Sequence, residues 1–579
     1  MTNPTPPTSP KKYLPYSAIL VLAANTMNGP GITTLPDVAA DAGLTLYVTL
    51  IVLSVTMASF VCRRMVYAMW ASLDSEESSD VEHQHGEDYE SINKHDSIQS
   101  LSIDNSDEGE KTAAAAEAGG MDEIIPGASS PDKLIHREHN QEESTNAPTT
   151  TATDKPAEGE SLLSHKDHDE NMAMITENVL RPVLERTSIV GQSREAYGKQ
   201  ASIYTAFTMV ASALCLGLAQ MMLCAAILDG MFVALGGKSC ALGLPSEESS
   251  SFLYCTTHSS MKPYSGSGAP TSLISVGWVI AASASVALGS VDLDEMISVQ
   301  YFLFGCLVVS AVRFSVVLKG MADGLDADGM MDAVNDEGVS DSNDSAVNWF
   351  VGPNPFQTVG PIMFNFAFIV TSPPSAAMAK KESIAYKALG MSCLVMGILY
   401  TMVGLSGASV SNAVRSGMIK GGDDSNLLSL ILLSGGESGG PSMLDLFFIG
   451  LFGFSTIASV PVYCLLAKET LINDAGVAPF PSFLLSNVLP WILVALTYNA
   501  AFFEAFVNWS GLLILGYANF SIPLLLDLKL KKVRAFRMLG QINKRVCSDD
   551  GRTTAITKGV LISVTASITI VIVMSILDQ

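Results

Sequence analysis

Charge is scarce in this chain: 16% of its 579 residues are Asp, Glu, Lys or Arg, against 48% apolar residues and a mean hydropathy of +0.33. That balance excludes an ordinary soluble protein of this length and points to a membrane. Cations are scarcer still, with 33 Lys+Arg to 57 Asp+Glu, so a strongly basic face for nucleic acid is missing. No phosphate-cradling Gly-Lys-Ser/Thr run follows a strand, which disfavours an ATP-driven pump, and no paired zinc ligands sit on a helix. Enzyme motifs are absent, and neither a resident metal nor a cofactor is expected. A cleavable signal peptide is lacking too, because the first apolar stretch is too long and has no small-residue cleavage site after a short core.

The net charge of −24 is concentrated in one place. Residues 74–200 hold 29 carboxylates and 10 cations, so −19 of it belongs to that segment, together with seven of the eight histidines. The segment is rich in Ser, Glu, Asp and Ala and has no sustained apolar period. It cannot bury enough surface to offset its ordering entropy, so residues 73–200 read as a disordered acidic loop. Its histidines, such as His83, His85, His136, His139, His165 and His168, have no ordered frame to fix metal-ligand geometry and read as solvated.

Outside that loop, apolar runs of about 18 to 25 residues recur, the length of helix that crosses a ~30 Å hydrocarbon layer. Eleven are expected, near 15–40, 44–69, 202–234, 272–290, 297–319, 357–379, 384–412, 442–467, 482–503, 507–527 and 555–577. The fold class is therefore an all-α membrane protein. A tail over 1–14 precedes helices 1 and 2 within 15–72, then the acidic loop over 73–200, then helices 3 to 11 within 201–579. Lys11, Lys12, Arg63, Arg64, Lys380, Lys381, Lys468 and the cluster from Lys529 to Arg537 flank segments on the side of the N-terminus, which makes that side cytosolic. The stretches 235–271 and 320–356 then lie on the opposite side. Asn343-Asp-Ser345 in one of them is a glycosylation sequon. Cys240 and Cys255 share the other, where an oxidising compartment permits a disulfide as readily as two free thiols.

The first apolar segment is interrupted by "NTMNGPG". Gly29 and Gly31 relieve the steric limit on φ and Pro30 has no N–H, so carbonyls are freed before the break and amides after it. In lipid, unwound backbone is tolerated only where protein or a polar cavity surrounds it. Freed carbonyls suit a cation, and the amides and positive dipole end of the following half-helix suit a carboxylate. The alternative is a Pro/Gly kink that only shapes packing. The sixth segment carries a second interruption, Thr371-Ser-Pro-Pro-Ser375, in its middle. Interruptions five segments apart are the sequence pointer to an inverted repeat of five plus five helices with a midplane site, a transporter architecture in which the eleventh helix is an appendage.

The same residues carry a resemblance. "NTMNGPGITTLPDVAADAG" resembles the first-helix signature of the amino acid/auxin permease family at Asn25, Gly29, Gly31, Leu35, Pro36 and Gly43. "FNFAFIVTSPPS" is similar to its sixth-helix Phe-x-Phe motif at Phe366 and Phe368, and "GLLILGYANFSIPLLLDLK" to its tenth helix at Gly511, Phe520, Pro523 and Lys529. "FSTIASVPVYCLLAKE" resembles the eighth helix of sodium-coupled neutral amino acid transporters, with Ser459 where those have Thr. The resemblance implies a LeuT-type fold and secondary active transport of amino acids. It implies a substrate site at Asn28, Gly29, Pro30, Gly31, Phe366, Phe368 and Thr371, and an ion site at Asn25, Ser455 and Ser459. The two serines are four residues apart and so share a helix face, which is equally a small polar packing surface.

Asp37 departs from the family pattern, which has an aromatic residue there, and Asp41 follows one turn on. A carboxylate in this half-helix is either a coupling candidate facing a watery vestibule or a headgroup-level residue. Lys380 and Lys381 replace the family's acidic residue near the inner end of helix six. Arg313 reads as snorkelling and Asp229 as interfacial. The function expected is amino acid transport driven by a sodium or proton gradient, in the plasma membrane or a vacuolar or endosomal membrane. A non-transporting amino acid receptor that signals to cytosolic partners through the acidic loop is the alternative.

Overall fold

The computed structural model describes residues 13–28, 30–96, 188–243, 252–257, 264, 272–289, 293–332, 349–416, 419, 426–433, 441–457, 459–498, 500–539 and 550–577. Among the positions singled out above, Lys11, Lys12, Gly29 and Asn343 lie outside the described residues, as does 97–187 of the acidic loop. Met1–Glu77 and Asn178–Gln579 form one compact unit and Ser78–Glu177 another.

Helix α1 spans Tyr16–Met27, and a 3-10 turn over Pro30–Thr34 leads into α2, Leu35–Ala42. Helix α3 runs Leu44–Asp96, α4 Ile189–Tyr197 and α5 Lys199–Gly236. Strands β1 (Ser239–Gly243), β2 (Leu253–Thr256) and β3 (Leu273–Ser275) precede α6, Val276–Leu288, and α7, Leu293–Asp332. The sixth apolar segment comprises α8, Val359–Asn365, a 3-10 turn over Ile369–Thr371, and α9, Ser372–Ala377. Then come α10 (Glu382–Arg415), α11 (Leu427–Leu433), α12 (Met443–Ile457) and α13 (Val460–Glu469). Helices α14 (Pro479–Phe483) and α15 (Leu489–Leu496) are joined by a π turn, α16 (Ala500–Ser510) and α17 (Ile522–Leu539) by two, Gly511–Leu515 and Tyr517–Ser521, and α18 is Asp550–Leu577.

Eight helical stretches among the described residues are long and apolar enough to cross a membrane. The protein is therefore a multi-pass membrane protein. The three remaining expected segments are present as shorter pieces. Tyr16–Met27 and Val276–Leu288 are apolar helices below spanning length, and the sixth segment is divided between α8 and α9. The most apolar stretch of α5 is 72% buried and that of Thr553–Met574 only 17%, so α5 runs through the centre of the bundle and the last helix lies at its edge.

The fold is mostly helical, as expected of an all-α membrane protein, with one small addition: β1 pairs antiparallel with both β2 and β3 at the end of α5. Cys240 lies directly opposite Cys255 in that sheet and the two are bonded, which pins the hairpin. At the ends of the stretch read as acidic loop, α3 continues to Asp96, and α4 buries Ile189, Val190 and Ala196, a short apolar period easily lost beside so much charge.

Glycines set the closest approaches in the bundle. A Cβ on Gly407 of α10 would lie 2.7 Å from Cβ and Cγ of Pro36 on α2, and 3.0 Å from Leu318 Cδ1 on α7. On the opposite end, Arg64 of α3 grips Asp527 of α17 with both Nε and Nη2, at 3.0 and 2.8 Å, the bidentate geometry of the strongest protein ion pairs. Gly407→Leu should therefore lower the unfolding free energy by about 1–3 kcal/mol through overpacking. Gly390→Ala, on the same helix with nothing within 4 Å of an added Cβ, should leave it unreduced. Thermal melting of the detergent-purified protein compares the two.

Candidate functional site

Helix α1 stops at Met27 because the next residues cannot continue it. Asn28 still donates its N–H to the carbonyls of Ala24 and Asn25, both at 3.1 Å. Pro30 then offers no amide hydrogen, and the carbonyls of Thr26, Met27 and Asn28 are left without helical partners. Each receives a side chain from a different helix. The Tyr463 hydroxyl of α13 donates to Thr26 O and the Tyr400 hydroxyl of α10 to Met27 O. Gln220 Nε2 of α5 donates to Asn28 O at 2.7 Å. Tyr47 of α3 in turn donates to the main-chain oxygen of Tyr400 at 2.7 Å.

The second break falls before its proline pair. Helix α8 ends at Asn365, Phe366 to Phe368 leave the helical pattern, and Thr371-Ser-Pro-Pro-Ser375 opens α9 instead of interrupting a helix. Pro373 and Pro374 sit in the first turn of α9, where a missing N–H costs nothing. Asn519 Oδ1 of the π turn before α17 accepts from Val370 N at 3.0 Å, answering an amide freed by the break.

The two breaks meet. A Cβ on Gly31 would lie 2.6 Å from both Cγ and Nδ2 of Asn365, so only glycine permits this approach. Asn365 is 1% exposed, and neither of its side-chain polar atoms has a hydrogen-bond partner. Asn25 Oδ1, Asn28 Oδ1 and Gln220 Oε1 are likewise buried and unpartnered. Leaving such a group dry costs about 1–3 kcal/mol, so this junction is where a polar ligand or water has the most to satisfy. Among the described residues, no ionisable side chain is a hydrogen-bond partner of Asn25, Asn28 or Gln220.

The expected substrate residues gather here in part. Phe366 is fully buried and meets the Tyr400 ring edge-on at 5.5 Å, and Phe368 is buried beside it in sequence. Pro30 and Gly31 lie in the 3-10 turn. Thr371 spends its hydroxyl on Phe368 O at 2.7 Å. The three expected ion ligands each have a different hydrogen-bond partner. Asn25 donates to the side chain and main chain of Gln300 on α7, at 2.6 and 2.9 Å. Ser455 accepts from Asn28 Nδ2 at 3.2 Å, and Ser459 from Gln220 Nε2 at 2.5 Å. Their mutual positions depend on helix packing, which four-residue spacing does not determine.

Several charges away from the junction are paired. Asp37 and Asp41 both bind Arg415 at the end of α10, and Ser411 donates to Asp37 at 2.8 Å. Asp37 is thus engaged with a cation, not facing open water alone. Arg313 is paired with Asp445 at the start of α12, at 2.7 and 3.0 Å, which replaces the snorkelling reading. Asp229 is fully buried rather than interfacial, accepting from Ser239, Gly277 N and Tyr498 at 3.0 Å each. Burial pushes the nearby Tyr264 hydroxyl up to about 12, so it stays protonated beside Ser239. Among the described residues no group of His, Cys, Asp and Glu forms a metal site.

Sequence reading missed Gln220, Asn365, Tyr400, Tyr463 and Asn519. The carboxamides were detectable as non-hydroxyl polar residues within apolar runs, which are costly in a membrane unless they have partners there. The tyrosines carry no such signal, because aromatic residues fill apolar helices for packing alone. No protein-family description matches the chain, and no curated protein is significantly similar to it.

Tyr400→Phe and Tyr463→Phe each strip one donor from a buried carbonyl and should each cost about 1–3 kcal/mol of stability. Unfolding by denaturing detergent, followed by tryptophan fluorescence, measures both.

Proposed function

We propose that this protein is a secondary active transporter that carries amino acids across a membrane by alternating access, driven by a sodium or proton gradient. The observation that carries the reading is the junction of two unwound stretches at Gly31 and Asn365, midway along apolar segments, with buried amide groups left unpartnered around it. Unwound backbone inside a membrane belongs to binding sites, and two such stretches in corresponding halves are the pattern of a midplane substrate site. The similarity of these segments to the amino acid/auxin permease family supports the same reading, and with it eleven membrane segments in a LeuT-type repeat.

Alternating access needs one end shut while the other admits solute. At the end carrying Asp37 and Asp41, Arg415 ties α2 to α10, and Gly352 donates its N–H to Ala42 O at 2.8 Å, drawing a connecting loop over the half-helix. At the end nearer α4, a pocket of about 130 Å³ reaches Val370 and Pro373 of the second break, bordered by Ser188, Met209 and Glu469. In this reading the arrangement is closed towards Asp41 and partly open towards α4. Site residues are neutral amides and aromatics, which favours solutes with an uncharged side chain.

Uptake of a mixed pool of labelled amino acids into proteoliposomes, with a sodium gradient, a proton gradient or neither, tests the proposal. Gradient-driven uptake is expected. Gly31→Val, which fills the space beside Asn365, should reduce it at least about tenfold by blocking the junction while the protein remains monodisperse. Ligand binding with no uptake under any gradient would favour the receptor, whose output should then be lost on deleting residues 97–187.

A further inference from the structure

Gln220 lies near the middle of α5, and its Nε2 faces three oxygens from two other parts of the fold. Asn28 O stands at 2.7 Å, Ser459 Oγ at 2.5 Å and Thr456 O at 3.4 Å. Two of these are main-chain carbonyls, which only accept hydrogen bonds, so the amide nitrogen and not its oxygen must point into the group. One is a carbonyl freed by the first break. The others belong to the junction of α12 and α13, where Thr456 O also accepts from Ser459 N and Ser459 Oγ, at 3.2 and 2.7 Å. A cluster of hard neutral oxygens at a helix break is cation chemistry. Here its centre is already filled by a neutral N–H₂ group on a side chain, with no carboxylate among its partners in the described residues. Gln220 itself is fully buried, and its Oε1 has no partner on the far side.

We infer that the Gln220 carboxamide stands in for a monovalent cation at the junction of the first break with α12 and α13, so that transport proceeds without sodium. The inference rests on the transporter reading and narrows its driving ion. The amide's partial positive charge bridges the same two elements that a bound ion would bridge. Being covalently held, it cannot leave with the substrate and cannot couple to a gradient. Removing it returns the oxygens of Asn28, Thr456 and Ser459 to solvent or to an ion.

Two measurements on the full-length protein test this, each in sodium chloride and in choline chloride of equal strength. The first is thermal melting in detergent of the wild type, Gln220→Ala and Gln220→Glu. Wild-type melting should be indifferent to sodium. Both variants should gain stability saturably with it, because an ion that binds only the folded state raises its melting temperature. The second is amino acid uptake into proteoliposomes. Wild-type uptake should be equal in the two salts, whereas Gln220→Ala uptake should fall about tenfold in choline and recover in sodium. Saturable sodium stabilisation of the wild type, sodium-dependent wild-type uptake, or folded variants blind to sodium would each overturn the inference. If Gln220→Ala does not fold, the near-isosteric Gln220→Glu and the wild type still decide it. Absence of uptake in every medium would instead count against the transporter reading, with the melting experiment continuing to judge the Gln220 site by itself.

Discussion

Three consecutive carbonyls, those of Thr26, Met27 and Asn28, set the terms for the centre of this protein. Inside an apolar bundle a helix can end only if its last carbonyls are answered, since each unpaired group there costs several kcal/mol. Tyr463, Tyr400 and Gln220 answer them from α13, α10 and α5. These contacts draw three helices to one point. Tyr47 extends the same network to α3 through the Tyr400 backbone.

The second break is held by a different device. Asn519 caps Val370 N from the π turn before α17, and the two prolines of α9 sit where no amide is needed. What the two breaks share is close approach: Gly31 lies against Asn365, and Gly511 lies against Gly360 where the π turn after α16 crosses α8, so that a Cβ there would come 3.1 Å from Gly360 C. Small residues buy proximity, and proximity leaves Asn365 enclosed without partners. A buried amide in that state is a poor structural element and a good ligand contact. Ion pairs lie away from the junction, where Asp37 and Asp41 meet Arg415, Asp445 meets Arg313 and Asp527 meets Arg64. Neutral dipoles fill the junction itself, the arrangement a low-dielectric core favours.

Much of this was legible in the sequence by itself. The scarcity of charge and the length of the apolar runs determined a multi-pass helical membrane protein, because hydrocarbon admits little else. Asn28 to Gly31 determined the first break, since Gly and Pro remove both the steric limit and the donor that a helix requires. The tertiary structure decided the rest. The second break moved to Phe366 to Phe368 because prolines that look like interruptions are also good helix starts. A sheet formed at the end of α5 where short strands needed one another to pair. Asn25, Ser455 and Ser459 went to three different partners, and Gln220 came between helices far apart in the chain, because which side chain answers a freed carbonyl depends on how helices pack and not on any spacing along the chain.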